Sequence, residues 1–429
     1  MSEKLKSKSD YIKCRLYPKR GTGSGFLLFV FMIYYIICLL PQFIFAQIDS
    51  GNNQQSNTPL VEVSLNYDGR INIPIIVNDS DTLSTILESG ITNNVLLMTH
   101  REIGEKLKLK YLKRIPISGG LGSGPSKMVN LTQVELKLNN FNMGAAVGGV
   151  IDESRDSSLF HNEAVLGAGA WLFKYIVKVD FDSLKVSFFD PDSFRIEKDW
   201  EEIPITLQNK FAVIETSITF NESKEIPVKL IIDTGGGKDM LLILDTKKGI
   251  KLPEQNVYSL VGVGLRGETY SNMARLQGVK FGNYNLKNII PAFFKKEDMP
   301  DAISGISDGV ISMGILYRFN TIFDYAHSRI FIKPNKYFND PFEINMAGIS
   351  IVTKGNNERV VFHVLGNSEA YSKGIRKGDI IEKVNNQNVS DITEDELKKL
   401  FEKVGNTLDI ILKRGQKMIE TRIKLKRYL

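Results

Sequence analysis

Two stretches carry an acid to the end of an apolar run and then turn at a glycine. In one, Val228-Lys229-Leu230-Ile231-Ile232 leads into Asp233-Thr234-Gly235; in the other, Leu83-Ser84-Thr85-Ile86-Leu87 leads into Glu88-Ser89-Gly90. Lys229 aside, the run before Asp233 is apolar and reads as a strand covered on both faces. Gly235 lets the chain bend where a side chain would clash. An acid at the end of such a strand is partly withdrawn from water, which moves its pKa. Two acids held close together can share one proton and hold a water, one acting as base and the other as hydrogen-bond donor. Taken alone, Asp-Thr-Gly after a strand also reads as an ordinary surface turn.

Spacing ties the two acids together. Glu88 and Asp233 are 145 positions apart, as are Val134 and Val279, and Glu163-Ala164-Val165-Leu166 and Asp308-Gly309-Val310-Ile311. Leu172-Phe173-Lys174-Tyr175 and Asp180-Phe181 recur at 144 as Leu316-Tyr317-Arg318-Phe319 and Asp324-Tyr325. Two long copies imply a duplicated domain, since a solenoid needs short units and at least three of them. Each half also holds a glycine cluster, Gly119-Gly120-Leu121-Gly122-Ser123-Gly124 and Gly262-Val263-Gly264-Leu265-Arg266-Gly267. A phosphate loop needs a helix after it. Pro125 and the β-type run over residues 129–138 speak against one, leaving a mobile hairpin tip or a loop without a role.

The elements that would position these groups are mostly strands. Residues 60–65, 71–77, 85–87 and 95–98 read as strands in the first half, with a brief helix over 101–109. Residues 207–219, 279–281 and 286–294 supply strand patterning in the second. Residues 335–343, flanked by Pro334 and containing Pro341, read as a linker. Beyond Gly348 the character changes. A strand over 360–364 precedes a short helix ending at Gly374, an amphipathic helix over 394–404 with Leu397, Leu400 and Phe401 on one face, and strands over 408–413 and 421–425.

These residues resemble the two-lobed, retropepsin-like (pepsin-like) aspartic proteases of exported bacterial proteins, with a PDZ domain appended. The protease resemblance covers roughly residues 58–335. The run Ile375-Arg376-Lys377-Gly378-Asp379-Ile380-Ile381 resembles the Gly-Asp segment of PDZ domains. The resemblance implies catalytic roles for Asp233 and Glu88, with the two turns locked by the hydroxyls of Thr234 and Ser89 and closed by Gly235 and Gly90. It implies flap hairpins at Gly120, Leu121 and Gly122 and at Gly262 and Gly264. It also implies a hydrophobic-hydrophobic-Gly segment beneath each turn. Gly167 keeps that pattern, while Ser312 replaces the glycine in the second lobe and implies weaker packing under Asp233. The PDZ-like part implies capture of an extended peptide as an added strand, with Ala347, Gly348 and Ile349 as the loop that takes the peptide's C-terminal carboxylate.

Glu88 departs from the expected Asp. One extra methylene moves the carboxylate by ~1.5 Å, and a misplacement of about 1 Å can cost ~100-fold in rate. Three outcomes are open: a working Glu88/Asp233 dyad, weak catalysis by Asp233 with it, or loss of proteolysis with the cleft kept for peptide binding.

Of the net charge of +6, most sits in residues 1–25, which hold seven basic and two acidic residues, so no broad nucleic-acid surface is implied. That basic start runs into apolar residues 26–40, Pro41, and the Ala46-Gln47 junction, the pattern of a secretory leader. An uncleaved membrane anchor is the alternative. Both cysteines, Cys14 and Cys38, precede the junction, so the exported part would have no disulfide. His100, His161, His327 and His363 lack metal-ligand spacing, and neither a metal nor a cofactor is expected. Asp239 and Asp245 are expected to face water, and Trp171 and Trp200 to pack.

The expectation is therefore a mostly β protein: two acid-protease-like barrel lobes around a cleft, then a small α+β PDZ-like domain. The segments are a leader or anchor (1–46), a linker (47–58), lobes over 59–192 and 193–334, a linker (335–345) and a PDZ-like domain (346–429). The expected function is an aspartic-type endopeptidase acting on exported polypeptides in the periplasm or envelope. The alternative is an impaired pseudoprotease that binds peptides or acts as a scaffold. Its partners would be polypeptides, not nucleic acid, and a membrane only if the leader stays uncleaved.

Overall fold

The computed structural model describes residues 57–429 except 118, 123, 156–161, 221–223, 246 and 355–357. The expected leader, nearly all of the linker after it, both cysteines and His161 lie outside the described residues. Among the described residues, no helix is long and apolar enough to cross a membrane.

The first lobe closes on itself. Ile71–Val77 pairs with Asp81–Glu88, which runs parallel to Ala164–Gly167. The ring continues through Val95–Met98, Phe141–Ile151 and Lys127–Leu138. It shuts where Ile76 and Val77 meet Lys137 and Leu136. Alternation along the strands turns Ile73, Ile75, Val77, Leu83 and Leu136 inward, where they are buried. Closure leaves none of the six strands as a free edge in the ring.

The second lobe repeats this register. Thr85, Ile86 and Leu87 face Ala164, Val165 and Leu166; Leu230, Ile231 and Ile232 face Gly309, Val310 and Ile311, each shifted by the same 145 positions. Only the end of the strand Glu225–Ile232 is buried on both faces. Its earlier part alternates, and Lys229 lies exposed, paired with Glu215 at 2.9 Å. The strand patterning over 286–294 resolves into two strands, Tyr284–Lys287 and Ala292–Phe294. Asn288 takes a left-handed φ of 60° and Pro291 has no N–H to give the ladder.

A six-stranded sheet joins the lobes. Its order is Val61–Ser64, Lys185–Phe189, Ile176–Asp180, Phe319–Asp324, Arg329–Pro334, Glu201–Pro204, three strands from each half. At its centre Lys178 faces Ile322. These are equivalent positions of the repeat, so the local two-fold axis passes between them. Trp171 is buried against Phe323 at a ring separation of 6.2 Å, and Trp200 packs with Ile176, Phe189 and Ile322.

The C-terminal domain has its own core, including Ile349, Val361, Ile381, Leu397, Phe401 and Leu412. Asp379 is buried and held by Arg414 at 2.6 and 2.8 Å. The helix Glu394–Phe401 starts with a capping box between Thr393 and Glu396. Residues 335–345 do not hang free. Arg318 donates to the carbonyls of Asp340 and Pro341 at 2.9 and 3.0 Å, and its guanidinium lies 3.6 Å from the Phe342 ring. Leu365, Ile344, Tyr428 and Leu429 pack on Val257, Val261 and Met273 of the second lobe. Lys377 pairs with Glu268 of its flap at 2.5 Å.

Candidate active site

The two acid-bearing turns face each other across the axis. The Ser89 amide donates to the Thr234 hydroxyl at 3.0 Å, and the Thr234 amide donates to the Ser89 hydroxyl at 2.9 Å. Each hydroxyl then donates into the opposite lobe: Ser89 to the Ile232 carbonyl at 3.0 Å, Thr234 to the Leu87 carbonyl at 2.7 Å. Four buried bonds thus tie the turns, and each net bond contributes about 1 kcal/mol. Glu88 Oε1 accepts the Gly90 amide at 2.7 Å, and Asp233 Oδ1 accepts the Gly235 amide at 2.8 Å.

The Glu88 and Asp233 carboxyls adjoin: a Cβ built on Gly90 would stand 2.8 Å from Glu88 Oε1 and 3.1 Å from Asp233 Oδ1. Both are enclosed by protein yet keep part of their side chains accessible. Burial, then the Asp233 charge, pushes the Glu88 carboxyl well above the usual carboxylate range. The Gly90 amide and Arg70 pull the other way. The extra methylene carries the Glu88 carboxyl over Gly235, where a Cβ would overlap it. Gly235 is therefore required by that close approach as well as by the turn. Arg70, which sequence reasoning missed, donates from its Nε to the Gly235 carbonyl at 3.0 Å.

Ser312 does not loosen the floor beneath Asp233. In the first lobe, a Cβ on Gly167 would meet Ile91 and the Asn93 carbonyl. In the second, the counterpart of Ile91 is Gly236, and a Cβ there would stand 2.6 Å from Ser312 Oγ. The bulk has changed sides within one contact, from Ile91/Gly167 to Gly236/Ser312. The Ser312 hydroxyl is buried without a hydrogen-bond partner. Two positions on, Gly169 and Gly314 are both pressed by the opposing loop, at Asn93-Asn94 and Asp239 respectively.

Both glycine clusters are hairpin tips, between Lys113–Ile117 and Lys127–Leu138 and between Val257–Gly264 and Gly267–Met273. The tips meet. The Gly124 amide donates to the Arg266 carbonyl at 2.9 Å, and Arg266 Nε donates to the Gly124 carbonyl at 3.1 Å. Leu121 packs onto the second-lobe cluster, and Leu265, its counterpart in the repeat, packs onto Ile86, Leu97, Val129 and Val165 of the first. Gly120 and Gly122 have φ of 68° and 115°, a region that favours glycine. Gly264 passes close to the Leu121 carbonyl, while Gly262 sits at a bulge in open space. Arg266 carried no sequence signal.

Asp239 is half-buried rather than fully exposed. It accepts the Ile290 amide at 3.1 Å, and burial raises its pKa. Asp245 closes a turn by accepting the Lys247 amide at 2.9 Å. The expected carboxylate loop is also otherwise engaged. The Ala347 and Gly348 amides donate to Asn345 Oδ1 and O at 2.8 and 3.2 Å, and Ile349 begins a strand paired to Glu358–Val364. Two of the three residues assigned to that loop therefore have their N–H groups spent inside it.

Residues 343–413 match the PDZ domain family. No curated protein matches the chain. Among solved structures, the chain is similar to an aspartic proteinase from Irpex lacteus, at 13% identity, covering 66% of this chain and 99% of that one, with a TM-score of 0.41. It is also similar to a PDZ domain protein from Parabacteroides distasonis, at 25% identity over 19% of this chain and 20% of that one, with a TM-score of 0.18. PDZ domains are peptide-binding modules.

Proposed function

We propose that the chain is an aspartic-type endopeptidase in which Asp233 and Glu88 hydrolyse a peptide bond with one water. The observation that carries the reading is the adjoining pair of acids, locked by the reciprocal Ser89 and Thr234 bonds. In this reading Glu88, whose carboxyl burial and the adjacent Asp233 charge push up, holds the shared proton, and Asp233 is the base. Asp233 takes a proton from the water as its oxygen attacks the carbonyl carbon. Glu88 gives its proton to the carbonyl oxygen. On collapse of the tetrahedral diol the C–N bond breaks, the departing nitrogen takes the proton from Asp233, and Glu88 recovers its own.

The joined tips at Gly124 and Arg266 must part to admit a polypeptide, and on closing they exclude bulk water from the acids. The PDZ domain, seated on the second flap, serves peptide capture. The basic-then-apolar pattern of residues 1–46 supports exported polypeptides as substrates, in the periplasm or envelope. A non-catalytic peptide binder is the second reading, favoured by the reach of Glu88 over Gly235.

A peptide library incubated with the full chain and with Asp233→Asn, from acid to neutral pH, tests the reading. Cleavage by the wild type alone supports it. Equal cleavage by both, or none by either, removes it.

A further inference from the structure

A cavity of about 620 Å³ lies between the second lobe and the PDZ domain. Lys238 and Asp239, just past the Asp233 turn, form one side; Gly348, Ile349, Ser350 and His363 of the PDZ domain form another. The Lys238 main chain is fixed, its carbonyl accepting the Gly314 amide at 2.9 Å. Its ammonium makes no hydrogen bond or ion pair among the described residues. Lys238 and the PDZ residues Ile349 and His363 line this one space.

The other charges around this space have partners or face solvent. Arg318 is spent on the carbonyls of Asp340 and Pro341. Glu343 is held by Arg275 and Arg427 at 3.1 and 2.9 Å. Asp340 accepts the Tyr317 hydroxyl at 3.3 Å, and Glu402 is exposed. Asp239 accepts the Ile290 amide and acts on Lys238 only from beyond ion-pair distance. The half-buried Lys238 ammonium thus lacks an ion-pair partner, and an anion entering the cavity would supply one.

The neighbouring PDZ strand says which anion. Ile349–Lys354 is hydrogen-bonded on one side only, to Glu358–Val364, and so offers a free edge. A peptide adding antiparallel to that edge ends its chain beside residue 349, in the cavity. The loop that would take its terminal carboxylate has the Ala347 and Gly348 amides already engaged by Asn345.

We propose that Lys238, from the protease-like lobe, is the carboxylate anchor of the PDZ groove: a polypeptide laid along Ile349–Lys354 sets its C-terminal carboxylate on the Lys238 ammonium. The ligand class is a polypeptide with a free C-terminus, delivered five positions along the chain from Asp233. The site rests on the peptide-capture part of the proposed function and not on hydrolysis.

Binding is therefore measured with the full chain carrying Asp233→Asn, so that a failure to cleave leaves the readout intact. The probes are three fluorescent pools of degenerate decapeptides: free C-terminal acids without internal Asp or Glu, the matching C-terminal amides, and amides bearing one internal Asp or Glu. The expected result is about tenfold tighter binding of the free-acid pool than of either amide pool, the scale of a charge-assisted bond. Adding Lys238→Met should erase that preference while Lys238→Arg keeps it. Circular dichroism and melting checks that each variant is folded. Equal binding of acids and amides, binding of no pool, or a preference that survives Lys238→Met would overturn the proposal. So would equal binding of the internal-acid pool, which would assign the carboxylate to a side chain.

Discussion

The carboxyl of Glu88 reaches over Gly235 while its Oε1 still accepts the Gly90 amide of its own turn at 2.7 Å. Asp233 makes the matching bond to the Gly235 amide at 2.8 Å, but it stands farther from a Cβ on the opposite glycine, 3.1 Å at Gly90, whereas Glu88 overlaps a Cβ on Gly235. The pair is thus symmetric in its main chain and asymmetric in its side chains, and the asymmetry follows from one methylene.

Gly235→Ala should therefore clash with Glu88, at a cost of about 1–3 kcal/mol for an overpacked site. Glu88→Asp draws the carboxyl back and should remove at least ~1 kcal/mol of that cost, a coupling readable in a double-mutant cycle by urea denaturation. Glu88→Asp alone should keep or raise peptide cleavage. Additive costs would show that Glu88 does not occupy the space above Gly235.

The raised pKa of Glu88 also sets a pH dependence. Above the ordinary value of 4.5, an unfolded Glu88 ionises while the folded one keeps its proton. The folded state then binds more protons, so stability falls as pH rises from about 4.5 through the folded value. Glu88→Gln should remove this loss. Its melting temperature should match the wild type near pH 4 and exceed it at pH 8. Wild-type cleavage should fall over the same rise, as Glu88 loses the proton it donates.

The exchanged bulk beneath the turns gives an unequal pair of variants. Gly167→Ser meets Ile91 and the Asn93 carbonyl and should cost about 1–3 kcal/mol. Ser312→Gly removes a buried hydroxyl without a partner and should cost under about 1 kcal/mol by chemical denaturation.

The crossed flap contacts make each tip depend on the other. Leu265→Ala should speed amide hydrogen exchange at residues 119–124, in the opposite lobe, as well as in its own hairpin. Exchange changed only around residue 265 would show that the tips move independently.

Much of this was written in the chain. The strands Ile71–Val77 and Val95–Met98 have the bounds that their apolar runs indicate, and an offset of 145 marks both turns and one of 144, from Gly120 to Gly264, both hairpin tips. The helix expected over 101–109 stops at Lys106, because Lys108 takes a left-handed φ of 51°. The strand Val61–Ser64 was legible in the run over 60–65, but its pairing was not, since its partner Lys185–Phe189 lies more than a hundred residues away. The Ile91/Gly167 and Gly236/Ser312 exchange was legible in principle, because both members obey the same offset. Arg70 and Arg266 act on main-chain carbonyls, which any sequence supplies, and so carry no pattern.

The most direct measurement is peptide hydrolysis in ¹⁸O-labelled water, followed by mass spectrometry of the products. Direct attack by a water held between Asp233 and Glu88 should place one ¹⁸O in each new C-terminal carboxylate, and Asp233→Asn should abolish product. Product formed undiminished by Asp233→Asn, or no product from any peptide tested, would contradict a hydrolytic pair of acids.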